Sequence, residues 1–215
     1  MSRRFDCADE TERALGIRAA TSAVQREALV VLPTDTVYGV GGDAFSSDAV
    51  GALLAAKGRG RDMPVPVLVG SPQAVDGLVL EMPAVGRELA EAFWPGGLTL
   101  VCRHQPSLQW DLGDTRGTVA VRMPLHPVAI ELLSDVGPMA VSSANRSGSP
   151  PATTAREAEA QLGDAVDVYL DGGRCAEPVP SAIVDLTGEV PRLLRAGAIC
   201  EETLREVAPD LRTPE

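Results

Sequence analysis

The stretch LVVLPTDTVYG, residues 29–39, joins a short apolar run to polar residues that follow it at once. Leu29–Leu32 is a run of four apolar residues that Pro33 stops, a pattern typical of a short buried strand. Thr34 and Thr36 come directly after it. Strand ends are where open α/β sheets bind their ligands. This stretch therefore predicts a core strand and one side of a binding site.

Helices and strands are predicted to alternate outward from this stretch. Glu12–Glu27 has apolar residues at helical spacing, and Ser47–Ala56 repeats the pattern with Ser47 as the expected N-cap. The other predicted helices are Pro83–Phe93, Pro127–Leu133, Thr154–Leu162 and Glu201–Val207, and the other strands are Val65–Val69, Leu98–Cys102, Thr118–Arg122, Pro138–Val141, Val166–Leu170, Ala182–Leu186 and Arg192–Leu194. This alternation predicts an α/β fold, and the consecutive late strands predict a mixed sheet.

Length and charge limit the domain count and the class of partner. The 215 residues contain no Gly/Ser/Pro-rich linker, so residues 1–208 are expected to form one domain and residues 209–215 a polar tail. The net charge of −11 disfavours wrapping of nucleic acid, because a polyanion is repelled at long range. An aromatic content of 3% also disfavours a base-stacking platform for single-stranded RNA.

Several other classes lack their sequence signals. The four cysteines and two histidines are too scattered for a structural zinc site, so no protein-bound metal is expected. The N-terminus has no apolar signal region, and no apolar run reaches the roughly 20 residues that span a bilayer, so we expect a cytoplasmic protein without membrane contact. Gly39–Ala44 matches the loose dinucleotide pattern, but residues 33–38 separate it from the preceding strand, and we interpret it as a closely packed turn.

One lysine stands out in a chain that otherwise uses arginine. The chain has 18 arginines and a single lysine, Lys57, which precedes the expected helix end at Gly58. It also lies in the densest basic segment, residues 57–61. Lysine is a compact point charge and arginine a planar fork, so a site that needs the former resists exchange for the latter. Lys57 is therefore a candidate functional residue.

Polar residues collect at the predicted strand and helix ends. They are Thr34, Thr36, Lys57, Arg59, Arg122, Ser142, Ser143, Asn145, Ser181 and Arg195. Cations with short hydroxyl and amide donors suit phosphate and carboxylate ligands. No nucleophile motif or metal cage accompanies them, so the chemistry that they favour is positioning and charge stabilisation.

An ordered set of motifs resembles the YrdC-like family of threonylcarbamoyl-AMP synthases. The motifs are Pro33–Gly39, Ala56–Arg59, Phe93–Thr99, Val119–Pro124, Ser143–Asn145, Asp171–Gly173, Ile183–Thr187 and Pro191–Arg195. The resemblance covers residues 29–199 and implies a twisted α/β sheet with a concave, positively charged cleft. Longer relatives carry an extra C-terminal domain, for which this chain is expected to be too short.

The resemblance implies a nucleotidyltransferase that acts on three small substrates. Such a synthase forms threonylcarbamoyl-AMP and pyrophosphate from L-threonine, bicarbonate and ATP, with Mg²⁺ expected to bridge the leaving phosphates. A separate tRNA-modifying transferase then passes the threonylcarbamoyl group to an adenosine next to the tRNA anticodon.

The same resemblance implies the roles of individual residues. The nucleotide-binding residues are Lys57, Arg59, Thr118, Ser143, Asn145 and Arg195, of which Lys57 and Arg59 are also catalytic. The threonine-binding residues are Thr36, Arg122 and Ser181, and the Arg122 fork suits a carboxylate. Four positions depart from the family pattern: Leu68 replaces a histidine thought to contact the threonine side chain, Ala182 a threonine, Ser142 a proline and Pro151 a serine.

The sequence is also compatible with two other functions. The first is an RNA-binding or ribosome-maturation module of the same fold, with a weak RNA contact, which a steep salt dependence of binding would indicate. The second is a carbamoyl-transfer module of the kind found in hydrogenase maturation proteins, but those need partner domains, and none is expected here.

Overall fold

The computed structural model describes residues 2–176 and 178–213. Within these ranges, ten strands form one sheet: β1 Arg3–Asp6, β2 Val30–Leu32, β3 Gly39–Asp43, β4 Val67–Leu68, β5 Leu98–Arg103, β6 Thr118–Arg122, β7 Met139–Ser143, β8 Val168–Asp171, β9 Ala182–Asp185 and β10 Arg192–Arg195. The helices are α1 Glu10–Gln25, α2 Ser47–Lys57, α3 Gln73–Asp76, α4 Ala84–Phe93, α5 Pro127–Val136, α6 Ala155–Leu162 and α7 Glu201–Val207, with a short 3₁₀ helix at Gly163–Ala165.

The sheet is mixed, as the clustered late strands predicted. Its order is β1-β8-β2-β3-β7-β4-β6-β5-β9-β10. The pairs β1/β8, β2/β8, β4/β6 and β5/β9 are parallel, and the remaining five pairs are antiparallel. The predicted α/β fold with a mixed sheet and flanking helices is therefore confirmed.

The two faces of the sheet are covered unequally. One face packs on a large core to which α2, α4, α6 and α7 contribute, for example through Leu53, Leu89 and Leu204. The opposite face packs on a second core with α1 and α5, represented by Ile17 and Leu132. Among the described residues, that second core takes no side chain from β5, β6, β9 or β10. The part of this face that these four strands form is therefore not covered by the second core.

The glycine-rich segment after the first predicted strand is itself a strand, so its interpretation as a turn was wrong. Gly39–Asp43 forms β3 and pairs with both β2 and β7. A Cβ atom on Gly41 would lie 2.1 Å from the carbonyl oxygen of Ala140, and one on Gly39 would lie 2.6 Å from Val141 Cγ1. Close backbone approach explains the glycines, whose low strand propensity hides the strand from sequence patterns.

Smaller differences concern the ends of elements. Ser46, not Ser47, caps α2, because its Oγ accepts a hydrogen bond from the amide of Ala49 at 3.0 Å. The predicted tail at 209–215 is wrong in its first part, since Leu211 is buried and the Leu193 amide donates to the Arg212 carbonyl at 2.7 Å. Residues 214 and 215 lie outside the described residues. In the described ranges, each helix is too short or too weakly apolar to cross a bilayer.

Candidate active site

A cavity of about 520 Å³ opens beside the second core, with which it shares Leu68 and Val141. This volume is in the range of small-molecule sites. Seven of the nine predicted site residues line it: Thr36, Arg59, Thr118, Arg122, Ser143, Ser181 and Arg195. The structure therefore brings most of the predicted set into one concave site, and three of the seven are arginines.

Lys57 and Asn145 do not line the cavity but support its wall. Lys57 ends α2, where Gly58 takes the left-handed conformation, and its side chain is 3% exposed. Its Nζ donates to the carbonyl oxygens of Ser143 and Asn145 and, at 3.3 Å, to Asn145 Oδ1. An ammonium group has three donors, so all three are used within the protein. Burial, helped by the charge of Arg59, lowers the pKa of Lys57 to about 8.

The Asn145 amide fixes the loop that follows β7. Its Nδ2 donates to the carbonyl oxygens of Arg146 at 2.9 Å and Ser149 at 2.7 Å, while its Oδ1 accepts from Lys57. The segment that carries Ser143 to the cavity is thus held from behind by a buried amide and a buried ammonium group. We infer a supporting position for both, in contrast to the direct contact expected from sequence.

Arg59 reaches the cavity from the loop after α2, where its side chain makes one hydrogen bond to the described part of the chain. Its Nη1 donates to Ser142 Oγ at 3.1 Å. Its Nε is buried and has no hydrogen-bond partner in the described part of the chain. Burial lowers the pKa of Arg59, although a guanidinium stays charged under all ordinary conditions.

Arg122 is buried beneath the cavity and bonded on three of its nitrogen atoms. Nε donates to the Gly96 carbonyl at 2.9 Å, Nη1 to Thr36 Oγ1 at 3.0 Å and Nη2 to Asp35 Oδ1 at 2.6 Å. Asp35 also accepts from the Leu125 amide at 2.8 Å. Each Nη group keeps a second proton for a ligand. Asp35 was missed at the sequence level, and its only signal was its place between two threonines of the decisive stretch.

The Thr36 hydroxyl donates and accepts its hydrogen bonds in a fixed direction. Thr34 Oγ1 donates its one proton to the Val37 carbonyl at 2.7 Å, so in its 3.0 Å contact with Thr36 it must be the acceptor. Thr36 therefore donates to Thr34 and accepts from Arg122 Nη1. It presents only a lone pair to the cavity, which suits a donor on a bound ligand.

A further arginine and hydroxyl group, Arg195 and Ser181, line the cavity from β10 and from the segment before β9. A bulge in β10 places Arg195 opposite Ile183. Arg195 Nη2 donates to the Ser181 carbonyl at 2.8 Å and to its Oγ at 3.1 Å. Ser181 Oγ also lies 2.8 Å from Thr99 Oγ1. Burial, with the charge of Arg122, lowers the pKa of Arg195. Thr99, absent from the predicted set, is part of this side of the site.

The positions that depart from the family pattern fall in different places. Leu68 lines the cavity and pairs with Arg122 across adjacent parallel strands. Ala182 is fully buried in the core on the other face of the sheet. Pro151 and Ser142 line the cavity. The loss of a hydroxyl at position 182 therefore leaves the cavity lining unchanged, whereas Leu68 makes it more apolar beside Arg122.

The donor set of the cavity does not fit a resident metal ion. Among the described lining residues there is no carboxylate and no imidazole. No group of three histidine, cysteine or acidic side chains that could hold an ion occurs in the described ranges. Magnesium favours carboxylate, phosphate and water oxygens. The side chains that line the cavity therefore do not fit a metal ion held by the protein alone.

Comparison with known proteins identifies the family. The Sua5/YciO/YrdC family model, described as telomere recombination, matches residues 22–197. The chain belongs to this family. The resemblance inferred from the ordered motifs is thus confirmed.

Alignments with individual members of the Sua5/YciO/YrdC family extend over most of the chain. A Mycobacterium tuberculosis protein with the provisional name threonylcarbamoyl-AMP synthase is 61% identical over 207 residues, which are 96% of this chain and 95% of the relative. The threonylcarbamoyl-AMP synthase of Pseudomonas aeruginosa is 34% identical over 177 residues, 81% of this chain and 95% of its own. The crystal structure of Pyrococcus abyssi Sua5 complexed with L-threonine is 33% identical, with a TM-score of 0.92 over 100% of this chain and 62% of that one.

Proposed function

We propose that the cavity is where this chain, a threonylcarbamoyl-AMP synthase, joins L-threonine and bicarbonate to ATP and releases pyrophosphate. The observation that carries the activity is the 61% identity to the mycobacterial synthase over 95% of its length. It confirms the nucleotidyltransferase activity predicted from the motifs and its place in tRNA modification. The transferase that collects the product, the cytoplasmic location and a weak contact with RNA stay predictions.

L-Threonine is assigned to the Arg122 side of the cavity. The free protons on the two Nη atoms of Arg122 suit the two oxygens of the amino-acid carboxylate. Thr36, which can only accept, suits the amino group. Ser181 lines the same cavity, and Leu68 supplies an apolar surface next to Arg122. The P. abyssi relative that forms a complex with L-threonine supports threonine as the amino acid that binds here.

The nucleotide is assigned to the Arg59 and Arg195 sides. These two guanidinium groups and the hydroxyls of Thr118 and Ser143 line the cavity and carry no carboxylate partner within salt-bridge distance in the described residues. Unpaired cations next to short hydroxyl groups suit phosphate oxygens. Lys57 acts through Ser143 and Asn145, whose backbone it holds in place.

The reaction then requires mainly positioning and charge stabilisation. The neutral amine of threonine attacks bicarbonate to give a carbamate and water. A carbamate oxygen attacks the α-phosphorus of ATP, and pyrophosphate leaves with the bridging electron pair. Negative charge shifts among the phosphate oxygens during this displacement, and cations fixed in advance stabilise it at little reorganisation cost. Mg²⁺ bound to ATP would neutralise the leaving pyrophosphate.

Pyrophosphate release should depend on all three substrates. With ATP, L-threonine and bicarbonate present we expect steady release, and omission of any one should reduce it to the background rate. Pyrophosphate is measured by a coupled assay in bicarbonate-depleted buffer. Arg205→Ala, which removes an exposed ion pair with Glu201 on α7, is the matched control and should act like the wild type. Release without threonine would instead indicate a nucleotide hydrolase.

The affinity for MgATP should fall as the pH rises through about 8, the pKa of Lys57. Below that pH the ammonium is charged and holds the Ser143–Asn145 segment, and above it the charge and one donor are lost. ATP phosphates do not titrate in this range, so the change belongs to the protein. Calorimetric titration from pH 7 to 9.5 measures it. A Lys57→Met variant should lack this dependence, and an identical slope in that variant would contradict the assignment.

A further inference from the structure

We propose that Ser142 is a positioning residue that turns the Arg59 side chain so that its free edge receives two oxygens of the nucleotide phosphates. The inference rests on the proposed function and assigns a role to a residue outside the predicted nucleotide-binding set. It follows from the bonds of one guanidinium group and from the rigidity of the strand beside it.

The backbone around Arg59 does little to fix its side chain. Gly58, in the left-handed conformation, ends α2, and Gly60 follows Arg59. In the described residues, no carboxylate lies within 4.0 Å of the Arg59 guanidinium. Within residues 2–176 and 178–213, the 3.1 Å bond from Nη1 to Ser142 Oγ is the one hydrogen bond that the guanidinium makes.

Ser142 lies on β7, a central strand that pairs with a neighbour on each side. It pairs with Val40 in the ladder between β3 and β7, where β7 also pairs with β4 on its other side. Its side chain is 8% exposed, and it lines the cavity. A buried hydroxyl on a central strand is a fixed reference point, whereas Arg59 is carried by a loop. Ser142 is thus placed to determine where the guanidinium points.

With Nη1 held by Ser142, the opposite edge of the guanidinium remains free. Nε is buried without a partner, and Nη2 makes no hydrogen bond within the described residues. Nε and Nη2 form the side-on fork with which arginine binds two oxygens of one anion. A buried donor without a partner is costly, and a phosphate group bound on this edge removes that cost. Lysine could not supply the same paired geometry.

Direct binding of MgATP tests the proposal without dependence on turnover. In isothermal titration calorimetry, Ser142→Ala should raise the Kd for MgATP about tenfold, the effect of losing a bond that orients a charged group. Its Kd for L-threonine and its circular dichroism spectrum should match the wild type. Ser22→Ala removes a similar bond from Arg26 Nη1 on the exposed face of α1 and is the control.

A double-mutant cycle with Arg59 separates positioning from a general structural effect. If Ser142 acts through Arg59, adding Ser142→Ala to Arg59→Ala should leave the Kd for MgATP unchanged. Arg59→Lys, which keeps the charge and lacks the fork, should weaken binding nearly as much as Arg59→Ala. An unchanged Kd in Ser142→Ala, or an equal additional loss in the Arg59→Ala background, would overturn the proposal. A wild-type protein that binds no MgATP would contradict the proposed function itself.

Discussion

Replacing Arg122 with lysine is expected to raise the KM for L-threonine about 100-fold, the loss of two charge-assisted bonds to the carboxylate, with little change in the KM for ATP. Lysine keeps a positive charge opposite Asp35, so the buried pair is not left with an isolated carboxylate. It cannot, however, bond Gly96, Thr36 and Asp35 and still offer a paired edge to a ligand. The KM for L-threonine should therefore rise, whereas the KM for ATP should stay close to the wild-type value.

Pyrophosphate release at varied threonine and at varied ATP measures the two KM values separately. Arg205→Lys is the matched control, since Arg205 also pairs with a carboxylate but lies on the exposed surface of α7. Equal increases in both KM values would indicate general damage to the cavity. An unchanged KM for threonine would show that the amino acid binds elsewhere.

Replacing Lys57 with methionine is expected to lower kcat by a factor of about 100, the loss that a small misplacement of the groups at the reacting centre can cause. Methionine fills a similar volume but leaves two carbonyl oxygens and the Asn145 amide oxygen without their buried donor. The free energy of unfolding should fall by about 3 kcal/mol, the usual order for unpaired buried polar groups. Urea denaturation and pyrophosphate release at 20 °C measure the two effects.

Stability and catalysis can be distinguished with a second substitution in the same cluster. Asn145→Leu removes one of the three acceptors of Lys57 but keeps its ammonium group, so it should destabilise the protein with a smaller loss of kcat. If Lys57→Met retains wild-type turnover while it is folded, the lysine has no part in the reaction. If both variants lose the same activity in proportion to their stability, the cluster is purely structural.

The sequence predicted the fold because its strands and helices carry simple patterns. Leu29–Leu32 and Leu98–Cys102 are short apolar runs, and α2 has apolar residues at helical spacing with a glycine after its end. β3 could not be predicted in this way, because its glycines are selected by the close approach of β7, a contact between segments about 100 residues apart. Arg3–Asp6 was missed because it is a polar edge strand with little burial.

Most of the residues predicted for the candidate site meet in one cavity, but their arrangement there differs from the expected one. Motif positions indicated which residues belong together, and most of them meet in the cavity. They could not show that Lys57 donates to groups outside the cavity lining, such as the Asn145 carbonyl. Nor could they show that Asp35 bonds Arg122 and Ser142 bonds Arg59. Such contacts join residues 83 to 88 positions apart, and a hydroxyl or carboxylate with this role looks like any surface residue in the sequence.

The half-covered sheet face also bears on how this protein tolerates mutation. In β5 and β9, Leu98, Leu100 and Val184 point into the large core, whereas the alternate positions Thr99 and Ile183 line the cavity. Alternate positions of one strand therefore have separate structural roles, one set in the core and the other at the cavity. Substitutions at Thr99 and Ile183 should change the ligand contacts of the cavity while leaving Leu98, Leu100 and Val184 in the interior.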